Sequence, residues 1–189
     1  MKITIQILKS TILKKKYKWF DDSINIIGIR STLDIPDVFN DFIIVVCEGQ
    51  IKAWTVTTDP GTFWLNNPLN RLGTAVLKPD QYINCYSLGH HQGKSEHPAL
   101  VQTGKVTVYR DNDRDNKSET GKEDTGMFGI NIHRSNSNGR TMSIGKWSAG
   151  CQVFQKKSDH DQFLEVCSMY KQSLNNKFTY TLLEEKDFH

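Results

Sequence analysis

The sequence predicts a mainly β or α+β fold in a single domain, 1–189, with an amphipathic helix near its C-terminus. Three observations carry that prediction. The apolar run Phe42–Cys47 turns through Glu48-Gly49-Gln50 into a second extended run, Ile51–Thr57. Further short runs with strand chemistry follow at Thr74–Leu77, Tyr82–Leu88 and Lys105–Arg110. Then Phe163, Val166, Cys167, Tyr170 and Leu174 repeat at helical spacing, after strands that need a partner layer.

Taken in order, the first twenty residues carry two periodicities. Ile3, Ile5 and Ile7 alternate like a strand, whereas Ile5, Leu8 and Ile12 share a helical face. A helix ending before Trp19 is the preferred reading, and Ile24–Ile29 follows as a strand. Asp59-Pro60-Gly61 is turn chemistry, because proline presets one dihedral and glycine supplies the positive one. Residues Asp111 to Asp124 are almost all charged or small and polar, which predicts a solvated loop. Ser158 with Asp161 three residues on resembles a capping box at the start of the C-terminal helix. A last strand is expected over Phe178–Leu183, after Asn175-Asn176.

A chain of 189 residues can bury a core without staples, so its four cysteines are expected to be free thiols. Cys47, Cys85 and Cys167 fall in strand or helix patterns that predict burial. Cys151 is different. It follows Trp147-Ser148-Ala149-Gly150, in which a glycine beside the thiol permits a tight turn and lets the amides of Gly150 and Cys151 converge. Upstream, Gly129-Ile130-Asn131-Ile132-His133 alternates as a strand with His133 at its end, followed by the turn signal Asn138-Gly139. An imidazole near a thiol lowers its pKa and keeps some thiolate at neutral pH. A packed thiol and a satisfied strand-end histidine fit the same spacing.

The segment from His133 to Cys151 resembles the catalytic motif of the L,D-transpeptidase (YkuD-type) family, in which a histidine precedes Ser/Thr-His-Gly-Cys. The matching positions are His133, Ser148, Ala149, Gly150 and Cys151. Together with Thr57-Thr58-Asp59-Pro60-Gly61, the stretch Trp147–Val153 looks like a phage or prophage variant of that family. Ala149 stands where the motif has histidine, Val153 where it usually has arginine, and Gln152 where a hydrophobe is common.

The resemblance implies a β-sandwich-like fold and acyl transfer through a thioester at Cys151, with a peptidoglycan stem peptide as substrate. It gives His133 the role of proton carrier, Gly150 and Cys151 that of oxyanion donors, and Ser148 that of orienting His133 through its carbonyl. Hydrolysis is the favoured outcome, as in an endolysin. A cross-linking transpeptidase and a non-catalytic wall-binding or virion protein are the alternatives. Arg134, Trp147, Gln152 and Arg110 are the candidate substrate contacts. Arg134 also reads as a surface charge, Trp147 as a core anchor and Arg110 as a surface ion pair.

His90, His91 and His97 invite a metal reading, but no His-Glu-x-x-His or paired-cysteine spacing supports it, and no metal or cofactor is expected. A net charge of +3 is too small to argue for nucleic acid, and no basic stripe is interleaved with aromatics. The N-terminus lacks the continuous apolar stretch of a secretory signal. A product made in the cytoplasm, or delivered by a phage, and acting on the wall is therefore expected, with no membrane insertion and no reading of oligomeric state.

Overall fold

The computed structural model of the chain describes residues 3–33, 35–92, 96–118 and 120–189. The N-terminal ambiguity resolves as a helix, α1 (Ile5–Lys14), because Thr4 caps it: its Oγ1 accepts the Ile7 N–H at 3.2 Å. Strands β1 (Asn25–Arg30), β2 (Asp41–Cys47) and β3 (Gln50–Thr57) follow. Alternation then sorts their side chains. Ile26, Ile43, Val45 and Val56 enter a central cluster, while Ile27, Ile29, Ile44 and Val46 pack on Leu8 and Ile12 of α1.

A short helix, α2 (Thr62–Asn66), leads to β4 (Thr74–Leu77), β5 (Gln81–His91), β6 (His97–Gln102) and β7 (Val106–Asp111). Then come β8 (Lys122–Gly126), β9 (Ile132–Arg134), β10 (Gln152–Phe154), α3 (Lys157–Tyr170) and β11 (Phe178–Glu184), with a last 3₁₀ turn at Glu185–Phe188. Eight strands close into a barrel in the order β1-β11-β5-β6-β9-β10-β3-β2, and β4-β7-β8 form a separate sheet. The fold is mainly β with few helices, as the strand patterns predict. Its main sheet is closed on itself, where the family resemblance implied a sandwich.

Several expectations need correction. The polar stretch Asp111–Asp124 is not all loop. Asp111 is buried at the end of β7, and β8 pairs with β7 from Arg110↔Lys122 to Val106↔Gly126. Backbone pairing makes that hairpin without the apolar alternation that would have announced it. The strand expected over Gly129–His133 shrinks to Ile132–Arg134, because Gly129 turns the chain at φ +73°. Strand β6 is the reverse case: Pro98 argues against a strand there, yet β6 pairs with β5 along its whole length. Helix α3 starts at Lys157 with Lys156 as N-cap and no side-chain cap, so Ser158 and Asp161 lie inside it and make no capping box. Its stripe buries Phe163, Val166 and Cys167 in the central cluster, and Leu174 lies beyond its end. All four cysteines are free; Cys167 is buried, but Cys47 and Cys85 are only half-buried.

Candidate active site

Strands β9 and β10 are parallel neighbours, with Gln152 beside Ile132, Val153 beside His133 and Phe154 beside Arg134. Ile132 and Phe154 belong to the central cluster, so their strand neighbours His133 and Val153 face the other way. On that other face Cys151 packs with Val153, Phe39 and Ile144. Cys151 and His133 are thereby raised on one side of the same pair of strands. The Cys151 sulfur and a ring nitrogen each of His133 and His91 lie within 4.8 Å of one another.

The loop that presents Cys151 is keyed to its surroundings at three points. The Gly61 N–H donates to the Ser148 carbonyl at 2.9 Å, and a Cβ on Gly61 would sit 2.0 Å from the Gly145 carbonyl oxygen. Gly61 stands at φ −74° as the N-cap of α2, so it does not supply the positive dihedral expected of a turn; the lack of a side chain there serves the close approach of the cysteine loop. Ser148 Oγ donates to the Cys151 carbonyl at 2.8 Å and accepts the Gly150 N–H at 3.2 Å. Asp37, from the segment before β2, receives the Thr62 and Gly145 N–H groups and binds the Ser143 hydroxyl.

Two roles implied by the resemblance change here. His133 Nδ1 donates to the Arg134 carbonyl, so the Ser148 carbonyl, which accepts the Gly61 N–H, does not orient that ring; Ser148 shapes the loop instead. The Gly150 N–H is spent on Ser148 Oγ, which leaves the Cys151 amide as the better oxyanion donor. Gly150 itself is required by geometry. Its φ is +122° and a Cβ would stand 2.3 Å from the Ala75 carbonyl oxygen. Gly150→Ala is expected to cost about 2–4 kcal/mol, because strain and a backbone clash combine. Gly139→Ala, at φ +67° with open space around it, should cost only about 1 kcal/mol. Denaturant unfolding of the two variants checks the difference, and equal losses would refute the packing argument.

The orientation of His133 comes from its own neighbour. Its Nδ1 lies 2.7 Å from the Arg134 carbonyl, so Nδ1 carries the proton and donates, and Nε2 holds the lone pair. Among the described residues that buried Nε2 has no hydrogen-bond partner. Burial holds the ring well below the usual imidazole range, with His91 adding to the effect and the Arg134 carbonyl opposing it. His133 is therefore a neutral base with a free lone pair.

The thiol departs from expectation too. Burial pushes it up to about 11, against the Asn131 N–H, which approaches Sγ at 3.4 Å and favours the thiolate. At rest the S–H donates to the Gly129 carbonyl at 3.3 Å. The resting pair is thus a neutral thiol and a neutral imidazole, and not the partial thiolate expected from proximity alone.

Of the candidate substrate contacts, Gln152 is excluded by its packing. It is fully buried, accepts the Tyr180 hydroxyl at 3.0 Å and donates to the Gly150 carbonyl. Arg134 is no surface charge: it is buried, with Nη1 donating to the Ser135 carbonyl at 3.3 Å. Trp147 is 42% exposed, so it is not a core anchor and is free to meet a ligand. Arg110 lines a cavity of about 300 Å³ shared with Trp64, Phe128 and Ala149, next to the cysteine loop. Its guanidinium is held there by Asp124 and the ring of Phe128.

His91, one of the three histidines that invite a metal reading, sits in the thiol site. Its ring stacks on His133 at 3.9 Å and 9°, and it pairs across the β5–β6 register with His97, 5.3 Å away. His90, the residue before it, is exposed. The donor set of His91, His133 and Cys151 is compact enough to invite a metal ion. Two nearly parallel rings, however, cannot both aim an in-plane lone pair at one ion unless one of them turns. Only the β5–β6 pairing brings His91 here, and β6 was invisible in the sequence.

Fold and site together define a mainly β domain that displays a cysteine beside a neutral, anchored histidine on two parallel strands. No family model, no curated protein and no solved structure matches the chain. Among the described residues no helix is long and apolar enough to cross a membrane.

Proposed function

We propose that this chain is a cysteine hydrolase acting on peptidoglycan stem peptides. The single observation that carries the catalytic part is the His133 ring, which is anchored through Nδ1, has Nε2 unpartnered among the described residues and holds a ring nitrogen within 4.8 Å of the Cys151 sulfur. A buried polar atom left unpaired costs free energy, so its retention beside a nucleophile argues for use. The wall-peptide substrate rests on the motif resemblance at His133, Ser148, Gly150 and Cys151.

In the proposed reaction the Cys151 side chain turns away from the Gly129 carbonyl and gives its proton to His133 Nε2 as sulfur attacks the amide carbon. The Cys151 amide meets the oxyanion. Collapse breaks the C–N bond, His133 returns the proton to the leaving amine, and a thioester remains. Water, deprotonated by the same imidazole, then releases the acid and restores the thiol. Burial opposes the transfer from both sides in the resting state, so the proton leaves in concert with bond formation and not before it.

The test is digestion of defined peptidoglycan by the wild-type protein and by Cys151→Ser, with product masses read by mass spectrometry. The expected result is stem peptides shortened by hydrolysis in the wild type and none in the variant. Cross-linked products in excess of free acid would make the protein a transpeptidase. Unchanged peptidoglycan under both would refute the reading.

A further inference from the structure

We propose that His91 is a positioning residue for the thiol–imidazole pair, fixing the plane of the His133 ring so that Nε2 stays aimed at Cys151. This rests on the reading of His133 as the base for Cys151. The hydrogen bond from His133 Nδ1 to the Arg134 carbonyl pins one point of the ring and leaves its tilt open. The second constraint is the face of His91, parallel within 9° at 3.9 Å.

His91 is itself held from a residue that also touches the nucleophile. The Asn131 side-chain oxygen accepts the Gln102 N–H at 2.9 Å, which turns its amide nitrogen toward His91 Nδ1 at 3.0 Å. The amide therefore donates to Nδ1, and the His91 proton resides on Nε2. The main-chain N–H of the same Asn131 approaches the Cys151 sulfur, and its carbonyl accepts the Gln152 N–H at 2.9 Å. One residue thus couples thiol, β10 and His91, while His91 couples that frame to the base. Precise aim is what such a supporting group contributes to catalysis, and small losses of aim are costly.

The experiment compares wild type, His91→Ala, His91→Phe, His91→Leu and His133→Ala. Two readouts are taken: iodoacetamide labelling at Cys151 followed by mass spectrometry, and kcat and KM for stem-peptide hydrolysis. His91→Ala is expected to slow labelling about tenfold and lower kcat about thirtyfold, with KM within about twofold. His91→Phe, which keeps a flat face, should recover most of both losses. His91→Leu fills the space without a flat face and should stay slow, which separates ring positioning from simple filling. Labelling and kcat at wild-type levels in His91→Ala, with His133→Ala slow, would overturn the proposal and leave the base assignment standing. The same holds if Phe and Leu behave alike. If His133→Ala labels as fast as wild type, the base assignment itself falls and the role of His91 falls with it.

Discussion

Cys151→Ser and His133→Ala are each expected to lower kcat/KM for stem-peptide hydrolysis by roughly 10³-fold or more, and the double variant should be little worse than either single one. The reason lies in the resting state. With the thiol at about 11 and the imidazole neutral, almost no thiolate exists at pH 7 unless His133 takes the proton during attack. Removing either partner stops the same step, so the losses cannot multiply. Neither variant should unfold the protein: the Cys151→Ser change is nearly isosteric, and among the described residues the His133 side chain makes one hydrogen bond, to the next residue's carbonyl. Far-UV circular dichroism checks the fold, and steady-state kinetics on a defined stem peptide check the activity. Losses that multiply in the double variant would show that His133 acts on something other than Cys151.

How far the site could be read in advance depends on where each constraint is encoded. Cys151 and His133 lie in short local signatures, a glycine before a thiol and an alternating run ending in imidazole. Their meeting follows from parallel pairing of β9 with β10. The partners that tune them come from elsewhere. Gly61 takes the Ser148 carbonyl, and Ala75 forbids a side chain at Gly150, contacts that span 87 and 75 residues of sequence. His91 arrives through a hairpin whose second strand contains Pro98, a residue that argues against a strand. Gln152 reads as a substrate contact, but alternation turns it inward, where the Tyr180 hydroxyl satisfies it. The strand patterns legible in the sequence recorded burial. What they did not record is pairing order, so barrel closure and the second sheet were out of reach.

Acid should destabilise the protein well before its carboxylates as a class are protonated. His133 and His160 are both buried, and neither ring nitrogen of His160 has a hydrogen-bond partner among the described residues. Burial lowers both pKa values, His160 to about 3, with His97 the next cause, while Asp161 opposes it. A folded value below the unfolded 6.5 means that the unfolded chain binds more protons. The stability these rings contribute is therefore present above pH 6.5 and is lost as pH falls toward the folded values. From pH 6.5 to 5 each ring held neutral loses about 2 kcal/mol, or about 4 kcal/mol for the two. Asp41 works the other way. Burial and Asp59 raise it to about 6, so it binds its proton in the folded state and returns about 1 kcal/mol over the same window. The net loss is about 3 kcal/mol, which for a chain of this length lowers Tm by roughly 6–12 °C between pH 7 and pH 5. His160→Phe should recover about two thirds of that loss, because a ring of similar shape beside Phe154 cannot be protonated. Thermal melts of both proteins at pH 7 and pH 5 decide the matter. A wild-type Tm that is the same at both values, or a His160→Phe protein as acid-sensitive as the wild type, would show that the buried imidazoles do not set acid stability.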